Sequence, residues 1–367
     1  MAEKVAEKPK KERLIGLDII RFLAIIFVFM THSMAYKMNL ETDLLSTKWI
    51  FEVIQRFITL SCVPLFILLT GFLNNKDKPD AKYYKSIIPL VLSYVLISVV
   101  ELVGTKLFVF ENGTIKYVAE GLANINLPLE ITKIFNFTQN SYAWYFEMYI
   151  GLFLLIPFLN IMWNNLKTNK EKVILVVSCC FLSLLPKTLE SFRIPALMDT
   201  EIGGWLDVLP DFWKITHPLA YFFIGKLIRD LKPNYNYLIR ILTVIVAVAI
   251  PVLCCYFTTK STGEYAWYMF NGFGTITNAF VASSIFILFY DIKFKIPAVS
   301  QIISQISICS FEMYLLSSIF DKIYYNTLTE LMWLQIVLLV VVSTYICARI
   351  WITVRDLIFG RIWKSPI

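Results

Sequence analysis

Apolar residues run along the chain in ten stretches, near 16 to 36, 52 to 74, 86 to 104, 143 to 163, 172 to 187, 212 to 228, 236 to 258, 270 to 290, 302 to 320 and 330 to 353. Short polar hinges separate most of them. A bilayer core takes about 20 apolar residues per helix. The pattern therefore predicts an all-α polytopic membrane protein with about ten transmembrane helices filling most of the length. Two longer polar intervals, about 105 to 141 and 188 to 211, are the places for structure beyond turns. The first mixes Phe, Ile and Leu with polar residues, as an interfacial helix does, around Tyr117 to Asn124 or Leu129 to Phe135.

Composition agrees with a lipid solvent. Of 367 residues, 57% are hydrophobic and 17% charged, too apolar for a water-soluble domain of this size. The formal charge of +7 does not form a continuous basic stripe or match a nucleic-acid motif, so no nucleic-acid partner is expected. Lys and Arg instead gather in alternate connections and near both ends, which by the positive-inside rule puts the N- and C-termini in the cytoplasm. Residues 1 to 13 read as a charged cytoplasmic tail, 14 to 354 as the membrane domain, and 355 to 367 as a second tail. The first stretch carries Asp18, Arg21 and His32 and lacks a small-residue cleavage site, so it is expected to stay in the mature protein. The cysteines lie in or beside apolar runs, where packing is their ordinary role.

Charge inside a span costs about 2.5 to 3.5 kcal/mol at its centre and needs a partner or a purpose. Arg21 and His32 lie eleven positions apart. At about 100° per residue this separation falls within about 20° of whole turns, so the two share a helix face. A rise of about 1.5 Å per residue sets them roughly 16 Å apart along the axis, at different depths. Guanidinium suits phosphate, and imidazole suits proton transfer. The plainer arrangement pairs Arg21 with Asp18 and leaves His32 to an interhelical hydrogen bond. Glu147, in the fourth stretch, is the candidate carboxylate for orienting His32, with Glu101 and Glu312 as competitors and an ion pair to Arg56 or Lys214 as its ordinary alternative. Trp144, Tyr145, Tyr142 and Trp205 stand where an aromatic belt is expected, and Trp144 and Tyr145 double as a platform for a sugar. His217 reads as structural or interfacial. HExxH, Walker, Rossmann, zinc-spacing and GxSxG signatures are missing from the sequence.

The segment LDIIRFLAIIFVFMTHS, with Arg, ten residues, then His, resembles the first span of the acyltransferase 3 family. Other landmarks follow in order: Pro64-Leu65-Phe66 with Thr70-Gly71-Phe72-Leu73, Tyr83-Tyr84-Lys85 before Pro89, Trp144-Tyr145 with Gly151 and Pro157, and Ser310-Phe311-Glu312-Met313-Tyr314-Leu315. Together they cover about residues 14 to 320, and the most similar branch is that of surface polysaccharide O-acetyltransferases. The chain departs from the pattern at Lys82 and Lys85, where two arginines are common, at Ser317, where a histidine is common, and at Glu312, usually small or apolar.

The resemblance implies transfer of an acyl group, usually acetyl from acetyl-CoA, to a hydroxyl of a cell-surface glycan or lipid-linked sugar. It implies Arg21, Lys82 and Lys85 on the donor and His32 as base or transient acyl carrier. Acyl-CoA is then a co-substrate, with no permanently bound cofactor and no metal expected. Membrane lipids and the glycan are the expected partners, possible polysaccharide-synthesis proteins among them, and a bacterial plasma membrane is the expected location. No attached extracytoplasmic domain is expected, so the membrane core completes transfer alone or with a separate partner. The competing class is a transporter or flippase of an anionic or glycan substrate, since intramembrane charge also marks substrate pathways. Paired Gly or Pro interruptions in matching halves, which would point that way, are not evident.

Overall fold

Each long apolar run becomes a helix because lipid offers the backbone no hydrogen-bond partner, and a helix satisfies its amides internally. The computed structural model describes residues 14–111, 113–123, 125–192, 211–293 and 296–359. In chain order come α1 (Ile15–Lys37), α2 (Thr47–Thr59), α3 (Cys62–Leu73), α4 (Ala81–Lys85) and α5 (Ile88–Leu107). The hairpin β1 (Phe108–Glu111) and β2 (Thr114–Tyr117) leads to α6 (Leu127–Phe135), α7 (Trp144–Asn165), α8 (Asn169–Ser183) and α9 (Leu185–Leu189). The chain continues through α10 (His217–Leu231), α11 (Tyr237–Thr262), α12 (Ile276–Phe289), α13 (Pro297–Thr327) and α14 (Trp333–Phe359). Polar side chains set several starts: Ser46 caps α2, Asp80 caps α4, and Thr168 with Glu171 forms a capping box on α8.

All ten predicted stretches are largely helical. Seven helical segments among the described residues are long and apolar enough to cross a membrane: α1, α2 with α3, α4 with α5, α7, α11, α13 and α14. The stretches near 172 to 187, 212 to 228 and 270 to 290 instead hold α8 and α10, of 15 residues, and α12, of 14. At about 1.5 Å per residue these reach roughly 22 Å, short of a hydrocarbon core of about 30 Å.

The all-helical expectation is corrected at β1 and β2, an antiparallel pair running from Phe108 opposite Tyr117 to Glu111 opposite Thr114. It leaves α5 directly and turns at Gly113, whose φ of 76° suits a residue without Cβ. Of the two interfacial helices expected here, Leu129 to Phe135 lies in α6, whereas Tyr117 ends β2 and residues 119 to 123 form turns. α14 continues to Phe359, past residue 354. The tail 1 to 13, Trp205 and most of the second long interval lie outside the described residues.

The centre of the bundle is made by α1, α3, α10 and α13. Two glycines set the approach of α3 to α10: a Cβ on Gly71 would strike the Phe222 carbonyl oxygen, and one on Gly225 would strike that of Leu68. Where neighbouring lipid is as apolar as leucine, such close backbone contact is a principal source of helix association. The rim is different. Along α11, Leu242, Ile245, Val246, Leu253 and Phe257 are exposed, the face a helix turns to lipid.

Candidate active site

The polar groups of α1 fall on one side and meet α13. Asp18 is buried, and its two carboxylate oxygens accept from Ser307 Oγ and Ser304 Oγ, each at 2.8 Å. Arg21 Nη1 donates to Ser307 Oγ at 3.0 Å and lies 3.8 Å from Asp18 Oδ1. The plain i, i+3 ion pair read from the sequence therefore exists, with α13 serines bridging it. It does not consume the guanidinium, because the Arg21 side chain keeps 28% of its surface exposed and lines a cavity of about 570 Å³.

That cavity is walled by Val28 of α1, Phe66 and Thr70 of α3, Tyr145 and Tyr149 of α7, and Ser310 and Tyr314 of α13. The turn Asn74-Asn75-Lys76 after α3 also lines it. Neighbouring helices fix this turn: Lys226 Nζ, from α10, donates to Asn74 O at 3.1 Å and Asn75 Oδ1 at 3.2 Å, and Asn160 Nδ2, from α7, donates to Lys76 O at 2.7 Å. Arg21 and Lys76 are the cationic residues of the lining, with the Lys76 ammonium 5.8 Å from the Tyr83 ring centre, and their charge favours an anionic ligand nearby.

His32 lies about three turns along α1 from Arg21. One turn before it, Val28 forms cavity wall, and Tyr145 and Tyr314 meet edge to face with ring centres 5.7 Å apart. The imidazole stacks on Tyr142, centroids 3.7 Å apart and planes 13° from parallel. Tyr142 Oη donates to Asp321 Oδ2 of α13 at 2.8 Å. Just beyond, Tyr325 Oη donates to Ser33 Oγ, and Tyr36 stacks on Tyr325 at 4.5 Å. α1 is therefore tied to α13 on both sides of His32.

The remaining sequence candidates take other positions. Lys82 and Lys85 are exposed on α4 and do not line the cavity, whereas Tyr83 between them is buried, donating to Phe153 O at 2.7 Å. Glu147 is exposed on α7, because His32 meets the loop ahead of that helix rather than its Glu147 face. Its alternative partners are engaged elsewhere: Arg56 donates to Asn271 and Lys214 pairs with Glu190. Glu101 binds Lys322 at 2.6 Å and Ser318 at 3.1 Å, and Glu312 binds Arg355 at 3.0 Å and Ser93 at 3.1 Å. Both lock α13 to its neighbours α5 and α14. Tyr145 lines the cavity, while Trp144 stacks on Phe273 at 5.5 Å and stays partly exposed. His217 lies edge-on to Tyr221. Lys76, Tyr142 and Asp321 are the members the sequence did not single out for these roles.

A helical bundle with seven segments long and apolar enough to cross a membrane among the described residues defines a class, the polytopic membrane proteins. The family is more definite: residues 14–352 match the acyltransferase domain model of the acyltransferase 3 family, and the chain belongs to that family. No curated protein and no solved structure matches the chain.

Proposed function

We propose that this protein is a membrane O-acyltransferase that moves an acyl group, most simply acetyl from acetyl-CoA, to a hydroxyl of a cell-surface or lipid-linked carbohydrate. The observation that carries the reading is the polarity of α1: Arg21 at a cation-bearing cavity and His32 about three turns further on, beyond the Val28, Tyr145 and Tyr314 wall. In this reading ten helical passages cross the plasma membrane of a bacterium, both termini are cytoplasmic, and the Arg21 end faces the donor.

Arg21 and Lys76 bind donor phosphates, and the exposed Lys82 and Lys85 add positive field on the approach. Lysine holds phosphate as a point charge rather than through the bidentate fork of arginine. The thioester arm passes along the cavity toward Tyr145 and Tyr314. His32 removes the acceptor hydroxyl proton as its oxygen attacks the thioester carbonyl. The tetrahedral centre collapses with cleavage of the carbon–sulfur bond, and the imidazolium returns the proton to the departing CoA thiolate. Trp144, beside Phe273 and partly exposed, offers a face for the sugar.

The test uses the purified full chain in proteoliposomes, radiolabelled acetyl-CoA and a membrane glycan fraction. General-base assistance is worth about 10² to 10⁴ in rate, and His32→Ala is expected to lose that much. Labelled glycan appearing undiminished in the variant would overturn the assignment, and glycan movement without acetyl-CoA would make the protein a transporter.

A further inference from the structure

Asp321 sits fully buried in α13. Its Oδ2 accepts one hydrogen bond, from the neutral Tyr142 phenol, and its Oδ1 is buried without a hydrogen-bond partner. The adjacent Lys322 is drawn away to Glu101. A buried carboxylate with a single neutral donor is costly, so a purely mechanical role explains it poorly. Nor is it needed as an anchor. Asn140 already fastens the loop before α7 to α13, donating to Leu315 O at 3.0 Å and accepting from Tyr142 N at 2.9 Å, with no charge spent.

What remains is the line of groups: carboxylate, phenol, imidazole. Tyr142 Oη meets Asp321 at 2.8 Å, and the same ring lies flat on His32. A phenol that donates to a carboxylate becomes richer in electron density across its ring. A richer ring face attracts a cation stacked on it more strongly.

We propose that Asp321 is a positioning residue for His32: acting through Tyr142, it fixes the plane of the imidazole and stabilises the imidazolium formed when His32 takes the acceptor proton. This rests on the acyltransferase reading above. No proton passes along the line. It goes from acceptor hydroxyl to His32 and on to the CoA thiolate, while Tyr142 stays a phenol and Asp321 exchanges no proton with either. The arrangement also gives the imidazole a support that Glu147, exposed on α7, does not provide.

Full-length protein in proteoliposomes, with radiolabelled acetyl-CoA and a membrane glycan fraction, separates the possibilities. In Asp321→Asn the amide oxygen can still accept from Tyr142 but the charge is gone. Turnover should fall about 3- to 30-fold, the scale of a buried cation–π contact, with KM for acetyl-CoA unchanged. Tyr142→Phe removes one oxygen, keeps the stack, and should fall by a similar factor. Since both act on one line, the double variant should be no slower than the worse single variant. Tyr142→Phe leaves Asp321 without its one donor and should lower the thermal midpoint, so turnover is compared per folded protein, well below that midpoint. Unchanged turnover in Tyr142→Phe, or losses that multiply in the double variant, would overturn the proposal even if Asp321→Asn misfolds. If His32→Ala abolishes transfer while Asp321→Asn transfers at the parental rate, this inference alone falls. If His32→Ala also transfers normally, the acyltransferase chemistry itself is wrong, and this inference falls with it.

Discussion

At its Arg21 end, α1 presents a charge to open space and roots it in hydrogen bonds: Asp18, Ser304 and Ser307 form a polar knot with α13. At its His32 end the same helix presents a neutral-capable ring to another ring, and the polar bond stands one side chain back, between Tyr142 and Asp321. Arg21, a permanent cation, is held by polar contacts and left partly exposed, as attraction of an anion would require. His32 is held through a ring face on Tyr142, an arrangement that would leave ring edges for the proton exchange proposed above. On the acyltransferase reading proposed above, the contrast lets one helix serve two steps of a transfer.

Changing one end and then the other should give different kinetic signatures. His32→Gln should lower kcat about 10² to 10⁴ with little change in KM for acetyl-CoA. Arg21→Gln should act mainly through KM, lowering kcat/KM about 10- to 100-fold, the equivalent of a hydrogen bond to a charged group. Steady-state titration of acetyl-CoA with each variant checks both, and equal effects on KM would erase the distinction between the ends. Asp18→Ala attacks the root. It removes the carboxylate that accepts from Ser304 and Ser307, and should destabilise the chain by about 1 to 3 kcal/mol, read as a lower thermal midpoint.

The smallest effect lies away from α1, as a control. Hydrogen bonds from Lys133 and then Lys106 hold the Glu130 carboxyl of α6 below its ordinary range. Its contribution is therefore present above the usual carboxylate pKa and lost as pH falls through the lowered folded value. Proteolytic nicking between 105 and 141 should rise with acid in the parent chain and show less pH dependence in Glu130→Gln. Transfer by the two proteins at neutral pH should be alike, so a large difference would tie α6 to the site.

Much of this was readable in order along the chain. Ten apolar runs marked the helices, and eleven positions between Arg21 and His32 put them on one face. What was hidden depended on which side of a helix faces inward. Glu147 drew attention as a carboxylate inside an apolar run, yet it is exposed. Asp321 stood one position beyond the expected end of its stretch at 320, and α13 runs on to Thr327. Tyr142 carried the pattern of a belt residue, and Lys76 that of one loop lysine among several. The hairpin had a local signal, Asn-Gly at 112 and 113, in an interval otherwise suited to an interfacial helix. For α8, α10 and α12, apolar composition marked the runs, but caps and flanking turns set their length.

The close approach at Gly71 and Gly225 has a mechanical meaning. With backbone against backbone, α3 and α10 have little freedom to slide, so they form one jaw. α3 ends at Asn74, and α10 supplies Lys226, which grips Asn74 and Asn75. This part of the cavity lining is thus riveted to a single stiff body. On its other side the segment meets α7 through one amide, that of Asn160 on the Lys76 carbonyl, so of its two supports α7 is the more readily detached.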